Sequence, residues 1–128
     1  MVSSKIHIKV NKTELENIIK QAGNVISDSS VYMAEEMKKS ISSGAKSGKR
    51  YGNHNASAPG QAPANWTGKL LKSIKVQKTK GVAFVYITAK YAEFLEFGTS
   101  KMRPRPFIIP AFIKTKKMIL DRLKRIAK

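Results

Sequence analysis

The chain of 128 residues contains no cysteine, two histidines, one tryptophan, and eight acidic residues against twenty-five basic ones. Without cysteine there is neither a disulfide framework nor a thiolate zinc site, which fits a reducing compartment. No apolar run approaches the roughly 20 residues that span a bilayer. The first ten residues, MVSSKIHIKV, alternate charge and apolarity where a signal peptide would carry an unbroken apolar core. Enzymatic machinery is equally scarce. His7 falls on the Lys5/Lys9 face of an alternating segment, and His54 has no neighbouring carboxylate. No phosphate-binding loop, dinucleotide fingerprint, zinc-protease helix or nucleophile elbow occurs. Glu93 and Glu96 could share a helix face as a metal or general-base pair, but no third ligand accompanies them, so ordinary ion pairing is the better reading. The sequence reads as non-enzymatic, with no cofactor.

What the chain has in abundance is positive charge. Its formal net charge is +17, which attracts polyanions: nucleic acid, an anionic surface or an acidic protein. Acidic residues are also unevenly placed, with none between Glu36 and Glu93. A small basic nucleic-acid-binding module is therefore one functional class, with Tyr51 and Trp66 available for stacking. Against it, the aromatics are not interleaved with the basic residues and no binding motif is present. The length suits a single domain over residues 1–128, able to bury roughly two thirds of its unfolded surface.

Taken in order, residues 5–10 alternate as a half-buried strand. A long helix follows. Thr13 is the favoured cap because Glu16 completes a capping box. Leu15, Ile18, Ile19, Ala22, Val25, Ile26, Met33, Met37 and Ile41 form one apolar stripe. Gly23 and residues 28–30 suggest a bend, and Gly44 the stop. Residues 43–65, rich in Gly, Ser, Asn and Pro, read as a mobile basic loop that a partner could order. Its Lys46, Lys49 and Arg50 are candidate contacts to a partner or DNA. Thr67 opens a short helix with Leu70, Leu71 and Ile74 inward. Two strands come next, 74–79 and 82–89, joined by a Lys80-Gly81 turn. From Pro110 a closing helix carries Phe112, Ile113, Ile119, Leu120, Leu123 and Ile126 on its apolar face. The fold class is α+β: an antiparallel β-sheet packed by a long N-terminal helix and a C-terminal helix, with a long flexible basic loop.

Residues 91–112, YAEFLEFGTSKMRPRPFIIPAF, organise the rest. Gly98 ends an apolar-acidic run by allowing a positive φ. Pro104 and Pro106 force extended geometry on Arg103 and Arg105. The result is a rigid charged corner, with Glu96 expected to pair with Arg105 at its edge, and with Lys101 and Arg103 as further candidate contacts.

Two blocks together resemble a known family. Residues 58–64 (APGQAPA), then Thr67-Gly68-Lys69-Leu70 and Ser73-Ile74, resemble its first motif, with Pro59, Gly60, Thr67, Gly68 and Leu70 at the matching positions. Residues 91–99, then Arg105-Pro106-Phe107 and Pro110-Ala111, resemble its second, carried by Tyr91, Glu96, Gly98, Thr99, Arg105, Pro106, Phe107 and Pro110. The family is that of minor tail-component, or head–tail joining, proteins of long-tailed double-stranded DNA bacteriophages and prophages. The resemblance implies a non-enzymatic virion protein of the neck or tail end, present in the host cytoplasm during assembly. It implies a homo-oligomeric ring between head and tail that touches other phage neck or tail proteins, with DNA transiting the channel as a further candidate contact and no membrane partner.

Overall fold

A computed structural model describes residues 11–44, 46–52, 54–65 and 68–127. The strand expected at 5–10, the stacking candidate Trp66 and the cap candidate Thr67 lie outside the described residues. Helix α1 (Lys12–Ser43) is continuous through Gly23 and residues 28–30. The Ser30 hydroxyl donates to the Ser27 carbonyl at 2.7 Å, so it reinforces its own turn rather than opening one. Asn11, not Thr13, caps the helix: its Oδ1 accepts from the amides of Thr13 at 3.0 Å and Glu14 at 3.3 Å. That choice leaves Glu14 in the first turn, beside the positive end of the helix dipole. Gly44 does end the helix, its N–H donating to Ser40 O.

The apolar stripe of α1 divides in two. Val25, Ala34, Met37 and Ile41 are buried, whereas Leu15, Ile18, Ile19 and Ile26 are exposed. Every residue from 11 to 20 is exposed; at about 1.5 Å per residue the helix projects by roughly 14 Å.

The loop region holds a minimal hairpin, β1 (Arg50–Tyr51) against β2 (His54–Asn55). Helix α2 (Lys69–Ser73) starts from Gly68, whose φ of +76° only glycine adopts without strain. Strands β3 (Ile74–Thr79) and β4 (Val82–Ile87) pair antiparallel from Ile74↔Ile87 to Thr79↔Val82. Gly81, at φ +79°, permits the two-residue turn. The second strand stops at Ile87, two residues short of the span expected. One hairpin face rests on α1 through Ile74, Val76, Val85 and Ile87; the other carries Val82, Phe84 and Tyr86 exposed.

Helix α3 (Ala92–Phe97) leads into the corner, and α4 (Ile108–Ile126) closes the fold. The last helix begins two residues before Pro110, which sits in the first turn, where a missing N–H is tolerated. It runs antiparallel to α1, bridged by Lys114–Glu36 at 3.3 Å and Arg122–Asp28 at 3.2 Å. Its buried positions are Ala111 and Thr115, while Phe112, Ile113 and Leu120, expected inward, are exposed. Ala111 and Ala34 meet in one core cluster with Met37, Ile41, Leu70, Ile74, Ala92 and Phe107. Small residues on both helices allow their axes to approach closely, which a large aromatic at the seam would prevent. The architecture is α+β: two helices and a two-stranded antiparallel sheet around one core.

Candidate functional site

The two sequence blocks, separated along the chain by the β3–β4 hairpin, are joined in space. Residues 58–61 make a turn in which Pro59 and Gly60 occupy the central positions and the Gln61 amide donates to Ala58 O at 3.0 Å. Gly60, at φ +87°, supplies the positive φ that a type II turn requires after proline. Its N–H then donates to Pro104 O at 2.9 Å, just before the Arg105-Pro106-Phe107 part of the second block. A second staple lies beside it: Arg105 Nε donates to Ser57 O at 3.3 Å. The Gln61 side chain fixes the start of the loop. Its Oε1 accepts from the amides of Ser47 at 2.9 Å and Ala58 at 2.8 Å, and its Nε2 donates to Ser47 Oγ at 2.9 Å.

The corner itself centres on Glu96. Its side chain does not pair with Arg105. It is buried, at 3% exposure, and its carboxylate accepts from three consecutive amides at the start of α4. Oε1 takes Phe107 N–H at 2.9 Å and Ile108 N–H at 2.6 Å; Oε2 takes Ile109 N–H at 3.2 Å. Phe107, the residue before α4, makes no side-chain cap of its own. A carboxylate borrowed from α3 therefore satisfies donors that the helix leaves open, at the end where negative charge is favoured. Burial of Glu96 also separates it from Glu93, which is exposed, so the two do not form a paired-carboxylate site. Among the described residues no group of three or more His, Asp or Glu is placed to hold a metal ion.

The other motif residues serve the same corner. Gly98 ends α3 at φ +77°; a Cβ there would stand 2.8 Å from Met102 O and 2.9 Å from Pro104 Cδ. Thr99 and Met102 exchange backbone hydrogen bonds, and Thr99 Oγ1 accepts from the Lys101 amide at 3.2 Å. The Arg105 amide donates to Leu95 O at 2.6 Å. Phe107 is wholly buried in the core, whereas Pro106 is half-buried.

Between the loop and this corner lies an open cleft of about 520 Å³, walled by Tyr51, Pro63, Leu70, Tyr91, Leu95 and Arg105. Both blocks contribute to it. Its described lining combines apolar walls with the phenols of Tyr51 and Tyr91, the polar side chains of Ser57 and Asn65, and the Arg105 guanidinium, which suits holding a chain segment of mixed apolar and polar character.

The candidate contact residues divide. Lys46 turns back: its Nζ donates to Ser40 O at 3.0 Å, at the negative end of α1. Desolvation there lowers its pKa below the ordinary lysine value. Lys49 sits 5.3 Å from the Tyr51 ring centre, a cation–π contact. Arg50 donates through Nε to Gly52 O at 2.9 Å. Lys49, Arg50, Lys101 and Arg103 remain exposed. The sequence reading missed Ser57 and Gln61, although the Pro-Gly pair was the available signal for the turn they brace. Among the described residues no helix is long and apolar enough to cross a membrane. Comparison with protein-family models, with curated proteins and with solved structures returned no match.

Proposed function

We propose that the chain is a structural virion protein of a phage head–tail junction, a neck or tail-completion component that assembles as a ring subunit between head and tail. One observation carries most of the weight. The two blocks that resemble the head–tail joining family are held side by side: Gly60 of the first donates to Pro104, which lies within the span of the second, and Arg105 of the second donates to Ser57, the residue before the first. Their residues are spent on holding a corner and walling a cleft, which is a scaffold's use of conspicuous residues. In this reading the protein is non-enzymatic, binds further neck or tail proteins, and resides in the virion after assembly in the host cytoplasm. Lys49, Arg50, Lys101 and Arg103 are the exposed cations available to acidic partner surfaces or to transiting DNA.

A second observation supports assembly in particular. Large apolar side chains are exposed on four elements: Ile18 and Ile19 on α1, Phe84 on β4, Phe94 and Phe97 on α3, and Phe112 and Ile113 on α4. In this reading these side chains are the ones that assembly would cover. The test is the mass of the purified chain in solution, alone and with duplex DNA at moderate salt. A ring-sized oligomer supports the reading. A monomer that binds DNA tightly, with affinity falling steeply as salt rises, overturns it in favour of a nucleic-acid-binding module.

A further inference from the structure

As far as the described residues go, the β3–β4 hairpin is a sheet with two open edges. Among the described residues neither strand pairs with anything but the other. The register fixes which backbone groups are left over. Thr88 N–H donates to Ser73 O at 3.0 Å, continuing the ladder at the hairpin's base. Counting in twos from there, the pairs 75/86, 77/84 and 79/82 exchange hydrogen bonds. The amides and carbonyls of Val76 and Lys78 on β3, and of Ala83 and Val85 on β4, therefore point outward.

The two edges differ in chemistry. β3 carries Lys75 and Lys78, the charges by which proteins blunt an edge strand. β4, VAFVYI, has no charge, no proline and no glycine. An unguarded apolar strand of this kind is a template for pairing with another chain. Its exposed face presents Val82, Phe84 and Tyr86, with Phe84 52% exposed.

We infer that β4 of one copy pairs antiparallel with β3 of the next, so that the sheet continues from subunit to subunit. This deepens the ring reading and rests on it. The occupant follows from three properties of the edges. Both strands are six residues long and run in opposite directions, so a rotated copy presents β3 to β4 with the same antiparallel alternation as inside the hairpin. Two β3 edges would bring Lys75 and Lys78 of both copies to one seam, where like charges repel. Two β4 edges would close a two-fold dimer and leave both lysine-bearing edges unpaired. The head-to-tail contact also repeats the pairings of the hairpin's outer face, where Lys75 stands across from Tyr86 and Gln77 across from Phe84. A lysine stem so placed can lie along aromatic surface while its ammonium stays wet. A heterologous contact of this type closes into rings when the rotation permits.

The test uses proline at edge positions whose amides are not needed inside the hairpin. Ala83→Pro blocks the β4 edge and Lys78→Pro blocks the β3 edge; circular dichroism checks that both still fold. The wild type is expected as a multimer and each variant alone as a monomer. Their equimolar mixture is expected to give one-to-one heterodimers, because each supplies the edge the other lacks. Loss of assembly in Ala83→Pro alone shows a two-fold β4 pair and overturns the inference. Wild-type mass in both variants also overturns it while leaving the ring itself standing, and a monomeric wild type overturns both. A second measurement leaves the backbone intact. In this cysteine-free chain, oxidation of mixed Gln77→Cys and Phe84→Cys proteins should cross-link unlike chains in several-fold excess over like ones, and equal yields would refute the contact.

Discussion

The two halves of α1 have the same helical period and opposite fates. From Val25 to Ile41 the stripe, Ile26 excepted, is buried or half-buried against the hairpin and α4; from residue 11 to residue 20 every residue is exposed. Periodicity therefore specifies which face of a helix is apolar, but whether a neighbour lies there depends on how far the other elements reach. Helix α4 reaches only to the level of Gln21, Asn24 and Val25, beside its own Arg125 and Ile126. The covered half belongs to the core, and the projecting half is exposed surface.

The sharpest way to break this contrast is to truncate one residue in each half. Met37→Ala, at a position with 0% exposure, should cost roughly 2–5 kcal/mol in chemical denaturation. Ile19→Ala, at 62% exposure, should stay within about 0.5 kcal/mol. Equal losses would mean that the projecting half is covered in the free protein. Next in size is the cap that anchors the covered side. Glu96→Ala leaves the Phe107, Ile108 and Ile109 amides without their acceptor and should cost about 3 kcal/mol. Glu96→Gln, which keeps one acceptor oxygen, should lose less. An unchanged melting curve for Glu96→Ala would show that water serves those amides equally well. Gly98→Ala forces a positive φ on a Cβ that also meets Met102 O, and should cost about 2 kcal/mol by thermal unfolding. The smallest effect has the opposite sign. Ser29 is buried and its Oγ has no hydrogen-bond partner among the described residues, so Ser29→Ala should raise stability by roughly 0.5 kcal/mol. A loss would reveal a partner for that hydroxyl.

The existence of both long helices, with starts two residues off, the Gly44 stop and the hairpin with its Lys80-Gly81 turn were legible because each rests on local physics: period, chain breakers and turn chemistry. Glu96 was legible as important and misread in its partner. Charge matching along a sequence finds Arg105, whereas three backbone amides carry no letter that marks them as donors. The cap of α1 was missed by two residues because Asn11 and Thr13 both suit the role and only the backbone decides between them. The bond between the two blocks was out of reach, since Gly60 and Pro104 meet through main-chain atoms.

The misread face of α4 leads to one more consequence of the Glu96 cap. That helix has two competing stripes, a small-residue one through Ala111 and Thr115 and a large one through Ile109, Phe112, Ile113 and Leu120. Hydrophobicity alone would turn the larger stripe inward. Sliding the helix by one residue rotates its faces by about 100° and would bring Phe112 to the place of Ala111. The carboxylate forbids that slip, because it holds residues 107, 108 and 109 by their own amides. Glu96 thus works as an index mark that sets the phase of the closing helix, and through that phase decides which of its two faces stays outside.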